Sequence, residues 1–431
     1  MATLTTPQKL RDLQRALYQR AKKEPHFRFY ALYDKVYRKD VLEHAYALAK
    51  ANHGAPGPDG MTFEQVEENG RAELLEELHE ELKAKRYKPG PVRRVHIPKL
   101  SGGERPLGIP NVRDRVVQTA TKLVLEPIFE ADFEGDSFGF RPKRDAHQAL
   151  QAIEEALKQG MCWVLDADIE AYFDTIPHDR LMKAVAERIV DGAMLALIKA
   201  FLEAPVIDER DDGRPRRNRR GTPQGGVISP LLANVYLHLV DRNFKRKTEK
   251  GVLCGRLIRY ADDLVVMTPH EPMRERDWLE TILGRLGLKL HSEKTRQLDA
   301  RKDDFVFLGH KLRWRYGSKL YLDVSARALE HIRGELRTRT RHFGQSLPET
   351  VAALNAYIRG ARQYFRRVMR RRLAKLDRFV LERVARWWSR KHQHSAPAWS
   401  LVRGGALWTE HGLERWWTPW RARPVLAEPA R

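Results

Sequence analysis

Cysteine is nearly absent from this chain: 2 occur in 431 residues, Cys162 and Cys254. Two thiols exclude a disulfide-stapled scaffold and a four-cysteine zinc site, and each sits in an apolar, strand-like run, as a small core residue does. No apolar run reaches the roughly 20 residues that a membrane-spanning helix requires. The opening Met1-Ala-Thr-Leu-Thr-Thr-Pro7 lacks the basic head and apolar stretch of a secretory signal. Both features lead us to expect a cytoplasmic protein with no membrane partner. Negative charge is also scarce, since 79 Lys and Arg stand against 57 Asp and Glu, a net charge of +22. A surplus of that size, spread along the chain, implies a polyanionic partner, nucleic acid first. Internal repeats and low-complexity linkers are missing too. With 42% hydrophobic residues the chain is long enough for two or three domains with their own cores.

Leu10, Leu13 and Leu17 space an amphipathic helix over 7–22, and an aromatic, basic stretch at 27–33 leads into a second helix ending near Ala51. Residues 1–52 therefore form an N-terminal helical extension. After the turn-rich stretch 53–60, Thr62 and Gln65 make a capping box, with Met61 and Val66 as the staple of a long acidic helix. Strand signals recur at Val92–Ile97, Cys162–Ile169, Leu257–Met267 and Phe305–Leu312, separated by helices near 111–128, 144–159, 179–203 and 275–286. Interleaved strands and helices indicate an α+β or α/β class, and from about 325 the pattern is helical and basic, as in a second domain.

Carboxylates concentrate in two segments. Arg256-Leu-Ile-Arg-Tyr-Ala-Asp-Asp-Leu-Val-Val-Met267 reads as the arms of a β-hairpin with Asp262 and Asp263 at its tip. Neighbours on an uninterrupted strand point to opposite faces, so the pair serves one site only if a tight turn brings it round, and the Ala-Asp tip supplies that turn. Trp163-Val-Leu-Asp-Ala-Asp-Ile-Glu-Ala-Tyr-Phe-Asp174 is a buried strand with Asp166 and Asp168 on one face, followed by an aromatic pair. Metal-assisted phosphoryl transfer calls for such donors: two Mg²⁺ ions about 3.5–4 Å apart, each taking about six hard oxygens, need about three carboxylates beside the substrate phosphates. Spacing alone does not choose Asp168 over Asp166.

These two segments resemble the catalytic motifs of reverse transcriptases, and the flanking sequence from about Gly54 to His394 resembles group II intron reverse transcriptase/maturase proteins. The resemblance selects Asp168, five residues before the aromatic Phe173 that closes off the sugar 2′-position. It pairs Asp168 with Asp262 and Asp263 as catalytic metal ligands, adds the backbone carbonyl of Ile169, and makes Tyr260 the tyrosine before the paired aspartates. Further blocks follow in the family's order. Ile97-Pro-Lys-Leu-Ser-Gly-Gly-Glu-Arg-Pro-Leu-Gly-Ile-Pro110 sets Lys99 and Arg105 across a hairpin, able to reach one polyphosphate, and the resemblance makes that the incoming triphosphate. Arg219-Arg-Gly-Thr-Pro-Gln-Gly-Gly-Val-Ile-Ser-Pro-Leu-Leu-Ala-Asn234 is a turn before an apolar helix, where backbone approaches a nucleotide closely; the family places Gln224 beside the nascent base pair. Phe133-Glu-Gly-Asp-Ser-Phe-Gly-Phe-Arg-Pro-Lys143 brings Phe140 and Arg141 to template and nucleotide. Gly287-Leu-Lys-Leu-His-Ser-Glu-Lys-Thr295 makes Lys294 a phosphate contact, and Phe305-Val-Phe-Leu-Gly-His310 puts Gly309 near the primer strand.

In the last third, Leu354, Tyr357, Ile358, Ala361, Tyr364 and Phe365 form one helical stripe. Arg359, Arg362 and Arg366 lie on other faces and run on into Arg367, Arg370 and Arg371 as a positive, nucleic-acid-binding wall. The segment resembles the maturase-specific thumb, although Ala361 stands where the family often carries Trp. Trp387, Trp388, Trp408, Trp416, Trp417 and Trp420 read as core staples, and His392 and His394 lack partners at ligand spacing. The Cys pairs of the family's endonuclease domain are missing, which identifies the chain with the endonuclease-lacking type.

The resemblance thus implies an α+β right-hand polymerase: fingers and a palm of antiparallel sheet plus helices over 53–324, a helical thumb over 325–400, and a basic, Trp-rich tail over 401–431. Its implied activity is RNA-directed DNA synthesis with two Mg²⁺ ions, replaceable by Mn²⁺. The implied partners are template and intron RNA, DNA primer or target, and dNTPs, with monomer or dimer left open. Two alternatives share the motifs, a host-adopted reverse transcriptase for defence or DNA repair and an RNA-binding splicing cofactor.

Overall fold

A computed structural model of the chain describes residues 4–98, 103–211, 213–315, 319–341, 344–393 and 405–416, excluding the side chains of residues 370 and 371. Lys99, His394, Trp417, Trp420 and most of the expected tail lie outside the described residues. The chain divides into two compact units, Met1–Asp299 and Ala300–Arg431.

Two sheets organise the first unit. One contains β1 (Val92–Pro98), β2 (Glu104–Ile109), β4 (Pro205–Asp208) and β5 (Arg216–Arg217), in the order β2-β1-β4-β5. The other has the order β6-β7-β3-β8, from β3 (Trp163–Asp168), β6 (Arg256–Tyr260), β7 (Asp263–Thr268) and β8 (Arg296–Asp299), all antiparallel. In its central strands Val164, Leu165, Ala167, Leu264, Val265, Val266 and Met267 are all buried. The helix Ala146–Lys158 packs on β6 and β7. The N-terminal helices Gln8–Lys23 and Lys39–Ala51 pack on the long helix Val112–Asp132 and share its core: Leu10, Leu17, Val41 and Leu42 cluster with Val116, Val124 and Leu125. The extension is therefore part of the first unit's hydrophobic core.

Local chemistry explains several boundaries. Thr62 and Gln65 make the expected capping box, with Thr62 accepting from the Gln65 backbone and the Gln65 side chain accepting from Thr62 N. The long acidic helix, however, is broken at Gly70, whose φ of 118° is open to glycine, giving Phe63–Asn69 and Arg71–Lys83. The single helix expected over 179–203 is likewise two, His178–Ala186 and Gly192–Glu203. Asp191 caps the second through Ala193 N and Met194 N while also accepting from Leu32 N and Tyr33 N, so a polar break inside apolar periodicity ties the N-terminal segment to this helix.

The second unit holds the sheet β11-β10-β9: β9 (Phe305–Phe307), β10 (His310–Arg315) and β11 (Lys319–Val324). The single strand expected over Phe305–Leu312 is split because Leu308 and Gly309, with φ of 47° and 70°, turn the chain between β9 and β10. Three helices follow, Ala326–Arg339, Leu347–Tyr364 and Arg370–Lys391, the second opened by a Ser346–Glu349 capping box. Leu336, Leu354, Ile358, Val384 and Trp387 are buried in this unit. The stretch 405–416 docks on the helix Leu347–Tyr364: Asn355 donates to Gly412 O and accepts from Glu414 N, and Trp416 is buried.

Candidate active site

The hairpin of β6 and β7 turns on two residues. Tyr260 and Asp263 pair across it, and Ala261, with φ of 57°, makes the turn that an extended strand would not. β7 lies beside β3 in a register that sets Asp168 opposite Asp263. Asp168 and Asp263 on neighbouring strands, and Asp262 in the hairpin turn, thus lie at one end of the sheet.

Their electrostatics are those of a site short of positive charge. Asp263 keeps some exposed surface, yet desolvation by the surrounding protein, the largest cause, pushes its carboxyl up to about 7, with repulsion from Asp262, Asp168 and Asp166 adding and Arg105 opposing. Asp262 is raised too, by burial first and then by Asp168, against Arg105 and Arg259. Asp166, on the same strand, is raised to about 6 by burial, with Arg296 opposing and Asp168 adding. Lys294 donates to Asp168 at 2.7 Å, and that carboxylate is partly exposed. As they stand, no three His, Cys, Asp or Glu side chains among the described residues form a closed metal cage. The donor set nevertheless fits a divalent cation, being hard carboxylate oxygens whose mutual repulsion a cation would relieve.

The expected substrate contacts fall in three places. Arg105 is exposed on β2 and lies close enough to lower both Asp262 and Asp263. Gln224 is fastened to the same strand, its carbonyl accepting from Gly108 N at 2.5 Å, and a Cβ on Gly225 would collide with Gly108 O. Phe173 lies on the short turn of helix after β3, edge-on to Phe140 at 6.4 Å and to Tyr172 at 5.4 Å. Thr222 N binds the Phe173 carbonyl at 2.7 Å, so the Gln224 loop and the Phe173 turn are held together. Tyr260 is half-buried at the hairpin end, its hydroxyl raised by burial, Asp145 and Asp263. Ile169 is buried after Asp168 in a bridge to Leu290.

Arg141 requires a correction. Its guanidinium is buried and bidentate on Glu130 at 2.7 and 2.9 Å, and it also donates to the carbonyls of Glu134 and Ser137 at 2.6 Å. With these donors engaged inside the protein, Arg141 braces the 130–141 segment and does not present itself to a nucleotide. In the second unit Gly309 sits in the turn between β9 and β10, its carbonyl accepting from Ser325 N. Arg359 and Arg362 both pair with Glu414 at 2.9 Å, Arg366 is exposed, and Arg367 is half-buried. Tryptophans 387 and 416 are core, as expected, while Trp408 lies under Arg415, whose guanidinium carbon is 3.9 Å from its ring centre.

A network that the motifs did not reveal lies directly beneath the hairpin tip. Arg259 is fully buried and bidentate on Asp241, and its remaining donors reach Asn234 Oδ1 at 2.8 Å and the Ala261 carbonyl at 3.0 Å. Asn234 in turn donates to Gly139 O at 2.7 Å, and a side chain on Gly139 would strike the backbone of Ala261. The Ala261 turn is thereby held from two sides. The signal was present: a second arginine in β6, directly after Leu257 and Ile258 and one residue before Tyr260.

The sequence matches the model of the family described as reverse transcriptase (RNA-dependent DNA polymerase) over residues 97–312, and that of the group II intron maturase-specific domain over 329–405. It is 36% identical over 351 residues to protein YkfC of Escherichia coli, covering 71% of this chain and 90% of that protein. It is 37% identical over 215 residues to the group II intron-encoded protein LtrA of Lactococcus lactis subsp. cremoris, covering 50% of this chain but 35% of that protein. A telomerase structure from Candida albicans aligns with 12% identity and a TM-score of 0.42 over 74% of this chain and 62% of that one, below the level that establishes a common fold.

Proposed function

This chain belongs to the group II intron-encoded reverse transcriptase/maturase family, and from that membership we propose that Asp168, Asp262 and Asp263 form the centre of a two-Mg²⁺ nucleotidyl transfer to a primer 3′-hydroxyl. The chain is an enzyme, an RNA-directed DNA polymerase of the α+β right-hand class, and its family uses divalent cations, an RNA template and a DNA primer. The observation that carries the site assignment is the pairing of Asp168 with Asp263 beside a hairpin tip that turns Asp262 back toward them.

Carboxylates of the three aspartates, with the Ile169 carbonyl, would hold the cations. When bound, divalent ions lower the cost of forming the primer alkoxide and of losing pyrophosphate. Arg105, joined by Lys99, neutralises the triphosphate of an incoming dNTP. Lys294 exchanges its Asp168 partner for a phosphate oxygen as substrate enters. Phe173, backed by Phe140, occupies the space a ribose 2′-hydroxyl would need, and Gln224 and Tyr260 border the nascent pair. Maturase activity, with Arg359, Arg362, Arg366, Arg367, Arg370 and Arg371 binding intron RNA and Gly309 lying near the primer, is supported by the 329–405 match. No described helix is long and apolar enough to cross a membrane, and a cytoplasmic location suits these substrates.

Primer extension tests the reading. With an RNA template, DNA primer and dNTPs, extension should require Mg²⁺, with Mn²⁺ as substitute, and NTPs should be poor substrates. Asp262→Ala should lower the rate at least about 10³-fold, the scale of several kcal/mol of lost metal-centred stabilisation, while RNA affinity stays within about threefold, or roughly 0.7 kcal/mol. Sustained extension by Asp262→Ala would refute the assignment.

A further inference from the structure

A groove on the first unit, about 780 Å³ in volume, runs between the helices His178–Ala186 and Gly192–Glu203 and the loop that precedes Gly221. Pro177, Met182, Leu195 and Ala196 give it an apolar floor. Four cations line it, Lys199, Arg217, Arg219 and Arg220, against two carboxylates, Asp179 and Glu203. Arg217 and Glu203 neutralise each other at 2.6 Å. Lys199, Arg219 and Arg220 remain exposed, without an ion pair among the described residues. No Phe, Tyr or Trp is among its lining residues, and the one imidazole, His178, is bonded to the Gly221 carbonyl, so charge dominates the groove.

Position gives this charge a meaning that a solvated face would lack. The loop carrying Arg219 and Arg220 continues into Gly221 and Thr222, whose backbone amides bind the carbonyls of Ile176 and Phe173 at 2.9 and 2.7 Å. His178 and Asn218 both bond the Gly221 carbonyl, at 2.7 and 3.2 Å, fixing the groove to the same junction. One wall of the groove is therefore tied to the Phe173 turn and continues along the chain into the loop of Gln224, residues proposed to border the nascent base pair. We propose that it carries the sugar-phosphate backbone of the unpaired template strand beyond that pair, read by charge and without regard to sequence. This rests on the polymerase reading above, so its test measures binding and not synthesis.

The experiment compares the full chain's affinity, without dNTPs, for a blunt primer–template and for the same duplex with a template 5′ overhang of about 8 nucleotides, inside the range that single-strand grooves cover. Wild-type binding should tighten with the overhang by about tenfold at low salt, and Lys199→Ala/Arg219→Ala/Arg220→Ala should lose that gain while blunt-duplex affinity is unchanged. The salt dependence of overhang binding should fall by about 2 in log–log slope, three contacts at roughly 0.7 each. Lys199→Glu, on a separate helix, should show a smaller loss of the same kind and guards against a misfolded loop. An overhang gain retained by both variants overturns the proposal, and an equal loss on blunt duplex assigns the groove to double-stranded nucleic acid and overturns it as well.

Discussion

Asp241 is buried and Asp262 half-buried in the first unit, and Arg259 joins them through the Ala261 turn, yet their circumstances are opposite. Asp241 has a bidentate arginine and no unmet charge. Asp262 faces Asp168 and Asp263, and all three crowd together with one lysine in contact. The satisfied pair holds the turn in place, and the unsatisfied trio is left able to take a cation. Rigidity below and electrostatic conflict above are complementary, because a binding site gains from donors already fixed in position.

Breaking the lower half should have the largest effect on folding. Arg259→Met strands Asp241 in the interior and should destabilise the first unit by about 3–5 kcal/mol, whereas the double variant Arg259→Met/Asp241→Leu should recover much of that loss. Both should extend primers poorly, since the Ala261 carbonyl loses its donor. Chemical denaturation of the single and double variants checks this, and a double variant with full activity would show that the tip positions itself.

How far the comparison was legible in the sequence depends on the kind of contact. Asp262 and Asp263 stand out as an adjacent pair at a hairpin tip, whereas spacing leaves Asp166 and Asp168 open and only the family resemblance chooses between them. Arg259 could not be assigned, because its value lies in Asp241 and Asn234, which sit 18 and 25 residues away in sequence. Arg141 was misjudged for the same reason, since only the fold reveals that Glu130 and two carbonyls use its donors. The breaks at Gly70, Asp191 and Gly309 lie inside apolar periodicity that runs on past them, so periodicity alone merged neighbouring elements.

His238 sharpens the same contrast through pH. It is half-buried beside Phe133, and desolvation there lowers its pKa to about 4, so the folded protein binds its proton less readily than the unfolded chain does. Between about pH 6.5 and 4 the unfolded state holds the extra proton, and stability should therefore fall as pH drops through that window, by about 2 kcal/mol from pH 7 to 5. His238→Gln should flatten the profile, measured by thermal unfolding across pH.

The smallest effect is expected in the second unit. Arg359 and Arg362 share Glu414 at an accessible surface, where an ion pair contributes about 0–1 kcal/mol. Glu414→Gln should leave the melting temperature nearly unchanged and, by freeing both guanidiniums, tighten RNA binding about two- to fivefold at low salt, or roughly 0.4–1 kcal/mol. Unchanged affinity would remove these two arginines from the RNA surface.

The unsatisfied trio should gather divalent cations. Electron paramagnetic resonance of free Mn²⁺, titrated with the protein bound to a chain-terminated primer on RNA template plus the matching dNTP, addresses it without turnover. Wild-type protein should take up Mn²⁺ in a manner that Mg²⁺ competes away, and Asp262→Asn should lose most of that uptake. Equal uptake by the two proteins would contradict the account.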